Sequence, residues 1–72
     1  MKLKVDEKTD ALYFRLDDSE IVESEEVSSG VIIDFNKDEQ ICGIEILKLS
    51  QRSNKINFKS LLFEYAEAES VG

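Results

Sequence analysis

The sequence predicts an α+β domain, a small antiparallel β-meander of about five strands followed by one C-terminal amphipathic helix packed on one face. Three observations lead there. The first 47 residues break into short alternating or β-branched apolar runs, separated by clusters of Asp, Asn, Ser and Gly. The apolar period switches to a helical one near Asn57. A 72-residue chain also has room for one domain only, joined by local connections.

The elements follow in order. Lys2 to Val5 alternates polar and apolar, and Ala11 to Leu16 sets Leu12, Phe14 and Leu16 on one face. The cluster Asp6-Glu7-Lys8-Thr9-Asp10 between them suits a hairpin loop. Ile21 to Val27 is a glutamate-rich strand suited to a sheet edge, where charge discourages further pairing. After the turn Ser28-Ser29-Gly30 come the two strongest strands, Val31 to Phe35 and Ile41 to Leu47. A register pairing Phe35 with Cys42, Ile33 with Ile44 and Val31 with Ile46 places all six on one buried face. Residues 48–56 read as a basic loop. Residues 57–68 read as the helix, with Asn57 as N-cap and Phe58, Leu61, Leu62, Tyr65 and Ala66 along its apolar stripe. Residues 1–72 thus form a single domain, strand-rich over 1–47.

Composition narrows the chemistry. A domain this short buries only about 60% of the surface its unfolded chain exposes, so its core is thin. Cys42 is the single cysteine and histidine is absent, so neither an internal disulfide nor a His-containing zinc site can reinforce it. Self-association is a ready alternative. The net charge of −7 disfavours binding to a phosphate backbone and suits a basic protein partner. Met1 to Asp6 lacks the apolar core of a signal peptide, and no apolar run approaches the ~20 residues that span a bilayer. The expectation is a cytoplasmic protein with no membrane partner.

Three stretches, in order and at matching spacing, resemble the domain-of-unknown-function family 2283, a set of short prokaryotic proteins. They are Asp10-Ala11-Leu12-Tyr13-Phe14-Arg15-Leu16, Gly30-Val31-Ile32-Ile33-Asp34-Phe35 and Gly43-Ile44-Glu45-Ile46-Leu47. The family usually carries a glycine in the turn after Asp34, where this chain has Glu39. The resemblance implies the strand-rich fold and little about activity, since the family is uncharacterised. Some similar genes look like the antitoxin half of toxin–antitoxin pairs, an association that implies a protein-binding role.

The candidate functional residues lie on the other side of the pleat. With Leu12, Phe14 and Leu16 facing the core, Tyr13 and Arg15 face away, and the register sets Asp34 and Glu45 on that same outer face. Two carboxylates together can hold a small ligand or a divalent metal, or share acid–base work. The plainer reading pairs Arg15 with one of them on an exposed face, worth about 0–1 kcal/mol. The plainer reading is preferred, because no histidine or nucleophile completes a site. Asp34 to Glu45 also carries oxygen ligands at EF-hand spacing, but its sixth position is Glu39 and its flanks read as strands. Ile32, Ile41 and Leu47 project from the outer face among the charges and make it a candidate interface. Phe63 lies off the helical stripe, as an edge seal or a partner contact. Lys48, Arg52, Lys55 and Lys59 form a basic stretch best read as solvated surface. No catalytic, cofactor or metal residue is assigned. The reading is a protein-interaction module or homo-oligomer, with a small ligand- or metal-binding protein as the alternative.

Overall fold

The computed structural model describes residues 1–68. Five strands and one short helix follow in order: β1 (Lys2–Asp6), β2 (Ala11–Arg15), β3 (Glu23–Ser28), β4 (Val31–Phe35), β5 (Ile41–Ile46) and α1 (Leu49–Arg52). All five strands join one antiparallel sheet, in the order β1-β2-β5-β4-β3. The class expected from the sequence, α+β with five antiparallel strands followed by a helix, is what the chain forms; the meander order and the packed amphipathic helix are not.

The strand order is not that of a simple meander. A meander would place β3 between β2 and β4. Instead the chain crosses from β2 to the far edge, and β5 fills the centre. Side-chain chemistry explains the choice. Strand β3, with Glu23, Glu25 and Glu26, is exposed throughout and tolerates only an edge, whereas β5 is apolar enough to be paired on both sides.

The turns are set by short side chains. In the β4–β5 turn, Asn36 N–H donates to Gln40 O at 2.9 Å, and Glu39 N–H donates to Asn36 O at 3.0 Å. The buried Asn36 Oδ1 accepts from the backbone of Asp38 and Gln40, each at 3.0 Å. That leaves Glu39 at φ 60, a left-handed conformation for which an L side chain is poorly suited. In the β3–β4 turn the corresponding work falls to Gly30, at φ 73.

Register is as expected for Ile33 with Ile44 and Val31 with Ile46. It fails at Phe35, which pairs with Ile41 and not with Cys42. Cys42 is the extra residue of a β-bulge and is wholly buried. The bulge also breaks the alternation that had assigned Ile41 to the outer face.

The helix is the larger correction. Residues 57–68 are not helical, and the one helix lies inside the segment expected to be a basic loop. Asn57 does accept as a cap would, from Lys59 N–H at 3.0 Å through its side chain and from Ser60 N–H at 3.1 Å through its carbonyl. The turn goes no further. A helix of about a dozen residues is marginal without a packed face, and Leu61, Leu62, Phe63 and Tyr65 are all exposed.

By contrast, α1 is fastened at both ends by distant turns. Asp10 accepts from Ser50 N–H at 2.9 Å and Ser50 Oγ–H at 2.7 Å, and its carbonyl accepts from Leu49 N–H at 2.9 Å. Arg52 donates to Leu47 O at 2.8 Å and to Ser29 O at 2.7 Å, with its guanidinium lying against Gly30. Those bonds turn Leu49 inward, where it is buried.

Candidate functional site

Alternation and register define two unlike faces. One carries Tyr13, Arg15, Asp34 and Glu45, as the sequence predicts. Tyr13 stands opposite Glu45, and both Arg15 and Asp34 stand opposite Gly43, so Asp34 and Glu45 are diagonal neighbours on adjacent strands.

The centre of this face is a hydrogen-bonded chain across four strands. The Tyr13 hydroxyl on β2 donates to Asp34 Oδ2 on β4 at 2.9 Å, and Ser24 Oγ–H on β3 donates to Asp34 Oδ1 at 2.6 Å. Asp34 is only 7% exposed, so each of its oxygens needs such a donor. Tyr13 reaches that far because β5 offers no side chain between them. A Cβ built on Gly43 would stand 2.8 Å from Asp34 Oδ2 and 2.9 Å from Tyr13 Oη, closer than such atoms approach. Burial raises the Tyr13 phenol above its ordinary pKa, and the bond to Asp34 raises it further.

Arg15 does not pair with Asp34 or Glu45. Its Nε–H donates to Asp17 O at 2.8 Å, and its second guanidinium nitrogen donates to Ser19 O. It therefore fixes the start of the β2–β3 crossover, and the nearby Tyr13 hydroxyl helps hold its pKa above the ordinary value. Asp17 Oδ1 accepts from Ser19 N–H at 2.9 Å in the same loop. The hydroxyl and the amide of Ser19 together hold the Asp17 carboxyl below its ordinary range.

Beside this chain Lys4, Asp6, Thr9, Ala11, Tyr13, Asp34 and Glu45 line an open depression of about 360 Å³. Among the described residues no group of three or more His, Cys, Asp or Glu is placed to hold a metal ion. The EF-hand spacing is likewise used otherwise, since Asn36 Oδ1 is bonded into its own turn. Ser24 and Gly43 were missed by the sequence reading. A glycine inside an otherwise β-branched strand was the available signal, because it marks a place where something approaches closely.

The interface candidates divide. Ile32 stands opposite Glu45 on the outer face and is half-buried, as is Leu47, whereas Ile41 is 45% exposed at the bulge. Phe63 is 73% exposed, in a segment that lacks its expected helix.

The second face is the apolar one. Leu3, Val5, Leu12, Phe14, Val31, Ile33, Ile44 and Ile46 share it by register, with Leu16 and Phe35 continuing it. Every one of these ten is only half-buried. Ile56, Phe58 and Leu61 meet Val5, Leu12 and Leu49 around a small cleft of about 90 Å³, which covers one corner. Across the rest of the face no second layer of helix or strand is present among the described residues.

These features define a single-sheet antiparallel domain, with a tied polar face and an apolar face that its own secondary structure leaves open. No helix among the described residues is long and apolar enough to cross a membrane. The chain belongs to the family described as Protein of unknown function (DUF2283), whose model matches residues 2–50. That span takes in all five strands and the first two residues of α1. No curated protein and no solved structure matches the chain.

Proposed function

We propose that the protein is a non-catalytic, cytoplasmic protein-interaction module. One observation carries the reading: ten apolar residues on one face of the sheet remain half-exposed. Exposed apolar surface of that extent marks an interaction site in a folded protein. The polar face supports the same reading. Its buried carboxylate is already bonded to Tyr13 and Ser24, which leaves it a structural tie. The net charge of −7 favours a basic surface around the partner's contact region, and an antitoxin-like role against a basic protein is the finer form of the proposal.

The test is co-expression of the tagged full chain with the products of the genes flanking its own. A stoichiometric complex that survives washing in high salt is the expected result. A folded monomer that neither self-associates nor retains a partner overturns the reading.

A second reading rests on the depression beside Tyr13, where Lys4, Asp6, Asp34 and Glu45 bring charges of both signs together. A small polar ligand with an anionic group for Lys4 would bind there. Calorimetric titration with inorganic phosphate tests it, and absence of heat at millimolar concentration removes it.

A further inference from the structure

A domain needs two packed layers around its core, and the described chain supplies one. Its thinnest extent is 19 Å against 46 Å for the longest, and its radius of gyration is 14.8 Å. A compact domain of this length would have a radius of about 11 Å. Among the described residues, only three apolar side chains, Ala11, Cys42 and Leu49, are buried. So small a core does not hold a fold against chain entropy, so the cover must be present whenever the chain is folded.

We propose that the cover is a second copy of this chain, packed sheet to sheet as a two-fold sandwich; the inference rests on the apolar face being the interaction surface. Four features favour a copy over an unlike protein. First, the open face has the composition of a domain core cut in half, which is the mark of an obligate interface and not of a transient one. The partner that is always present in equal amount is another copy. Second, the face is aliphatic and aromatic at its centre, from Phe14 through Ile44 to Ile33, and two such surfaces are self-complementary at the ~10 Å spacing of stacked sheets.

Third, the areas match. The ten sheet residues are already half-buried, so by themselves they expose too little for the roughly 1,200–2,000 Å² that a stable interface buries in total. Leu61, Leu62, Phe63 and Tyr65 add about as much again or more, which brings two copies into that range. The proposed interface therefore takes in the exposed residues 59–68. Its unrealised helical period gains in the dimer the apolar surface that it lacks in the monomer.

Fourth, charge selects the symmetry. A two-fold axis parallel to the strands sets the β3 edge of one copy, where Glu23 and Glu25 flank the apolar face beside Phe35 and Ile33, over the β1 edge of the other, which presents Leu3 and Val5 and no acid. An axis across the strands would stack the acidic edge on itself. The first arrangement is the one proposed.

Sedimentation equilibrium of the full chain across a wide concentration range decides the matter. The expected mass is twice the 8.2 kDa of the chain, with a thermal midpoint that rises with concentration. Ile44→Glu, at the centre of the apolar face, is expected to abolish the dimer, and Ile32→Glu, on the outer face, to leave the mass unchanged. Because Ile44→Glu can also prevent folding, Leu3→Glu at the β1 edge, which sets an acid against Glu23 and Glu25 of the other copy, provides an independent probe. It is expected to weaken the dimer at least tenfold at low salt while the sheet's circular dichroism is retained. A folded monomer at every concentration overturns the inference. If that monomer still binds a co-expressed basic protein, the interaction reading survives; if it binds nothing, both fall. A dimer broken by Ile32→Glu and indifferent to Leu3→Glu also overturns it.

Discussion

Tyr13 and Asp34 sit on strands that do not touch, yet the Tyr13 hydroxyl donates to Asp34 Oδ2 at 2.9 Å across the intervening β5. The bond ties β2 to β4 from above, while backbone ladders tie each to β5 from the side. Replacing Tyr13 with phenylalanine keeps the ring and removes the donor. One oxygen of a carboxylate that is 7% exposed then lacks a partner, at a cost of about 1–3 kcal/mol. The midpoint of urea unfolding should fall accordingly with an unchanged slope. No shift would show that water replaces the hydroxyl without loss.

Gly43 is the permissive partner of that bond. Alanine there brings a methyl within 3 Å of both bonded oxygens, so either the ring or the carboxylate must move. Gly43→Ala should therefore cost about 1–3 kcal/mol, as overpacking does, although alanine suits a strand slightly better than glycine. The double variant with Tyr13→Phe should cost less than the sum of the singles, because the bond that the methyl disturbs is already gone. Strict additivity in the unfolding free energies would refute the coupling.

What was legible in the sequence followed from local pattern. Alternation at Leu12, Phe14 and Leu16, and again at Val31 to Phe35, gave the strands, their faces and most of the β4–β5 register. It also brought Tyr13, Arg15, Asp34 and Glu45 to one face. What was not legible was nonlocal. The bulge at Cys42 has no hydrophobic signature, since a small apolar residue suits either register. The period in residues 57–68 is real, but a period becomes a helix only where a surface receives it, and the sheet offers one corner, to Phe58 and the edge of Leu61. Helix α1 gives a weak signal because its cap lies 40 residues away.

The Tyr13 bond also predicts a response to alkali. Burial and the bond to Asp34 raise the folded phenol above the ordinary value of 10.0. A group whose pKa is higher folded than unfolded contributes stability that is complete below the unfolded value. That contribution is lost as pH rises through the folded one. Stability should therefore decline above pH 10, and less steeply in Tyr13→Phe. With Tyr65→Phe in the background, the phenolate absorbance reports Tyr13 alone, and its midpoint should lie above 10.0. A midpoint at or below that value would contradict the buried bond.

Glu39 occupies a left-handed position, φ 60, in the turn between β4 and β5. A side chain there costs roughly 1–2 kcal/mol, part of which glycine returns through the greater freedom of its unfolded chain. Glu39→Gly should therefore stabilise the fold by about 0.5–1 kcal/mol and also reduce the negative charge of this turn. A thermal midpoint that stays fixed or falls would mean that the Glu39 side chain makes a contact offsetting its strain.

The last test concerns the tether of α1. Asp10 is held at φ 56, and its carboxylate accepts from both the backbone and the hydroxyl of Ser50. It acts as a capping residue delivered from another turn, and removing a capping side chain costs about 0.5–2 kcal/mol. Asp10→Ala should lie at the upper end of that range, because alanine also tolerates the left-handed backbone poorly. Asp10→Gly removes the same acceptor but relieves the backbone, so the difference between the two isolates the conformational part. Ser50→Ala deletes only the hydroxyl bond and should cost least. If α1 is tied in this way, hydrogen exchange at the Leu49 and Ser50 amides should accelerate in both Asp10 variants and stay slow in Ser50→Ala. Equal acceleration in all three would place the anchor in the hydroxyl and not in the cap.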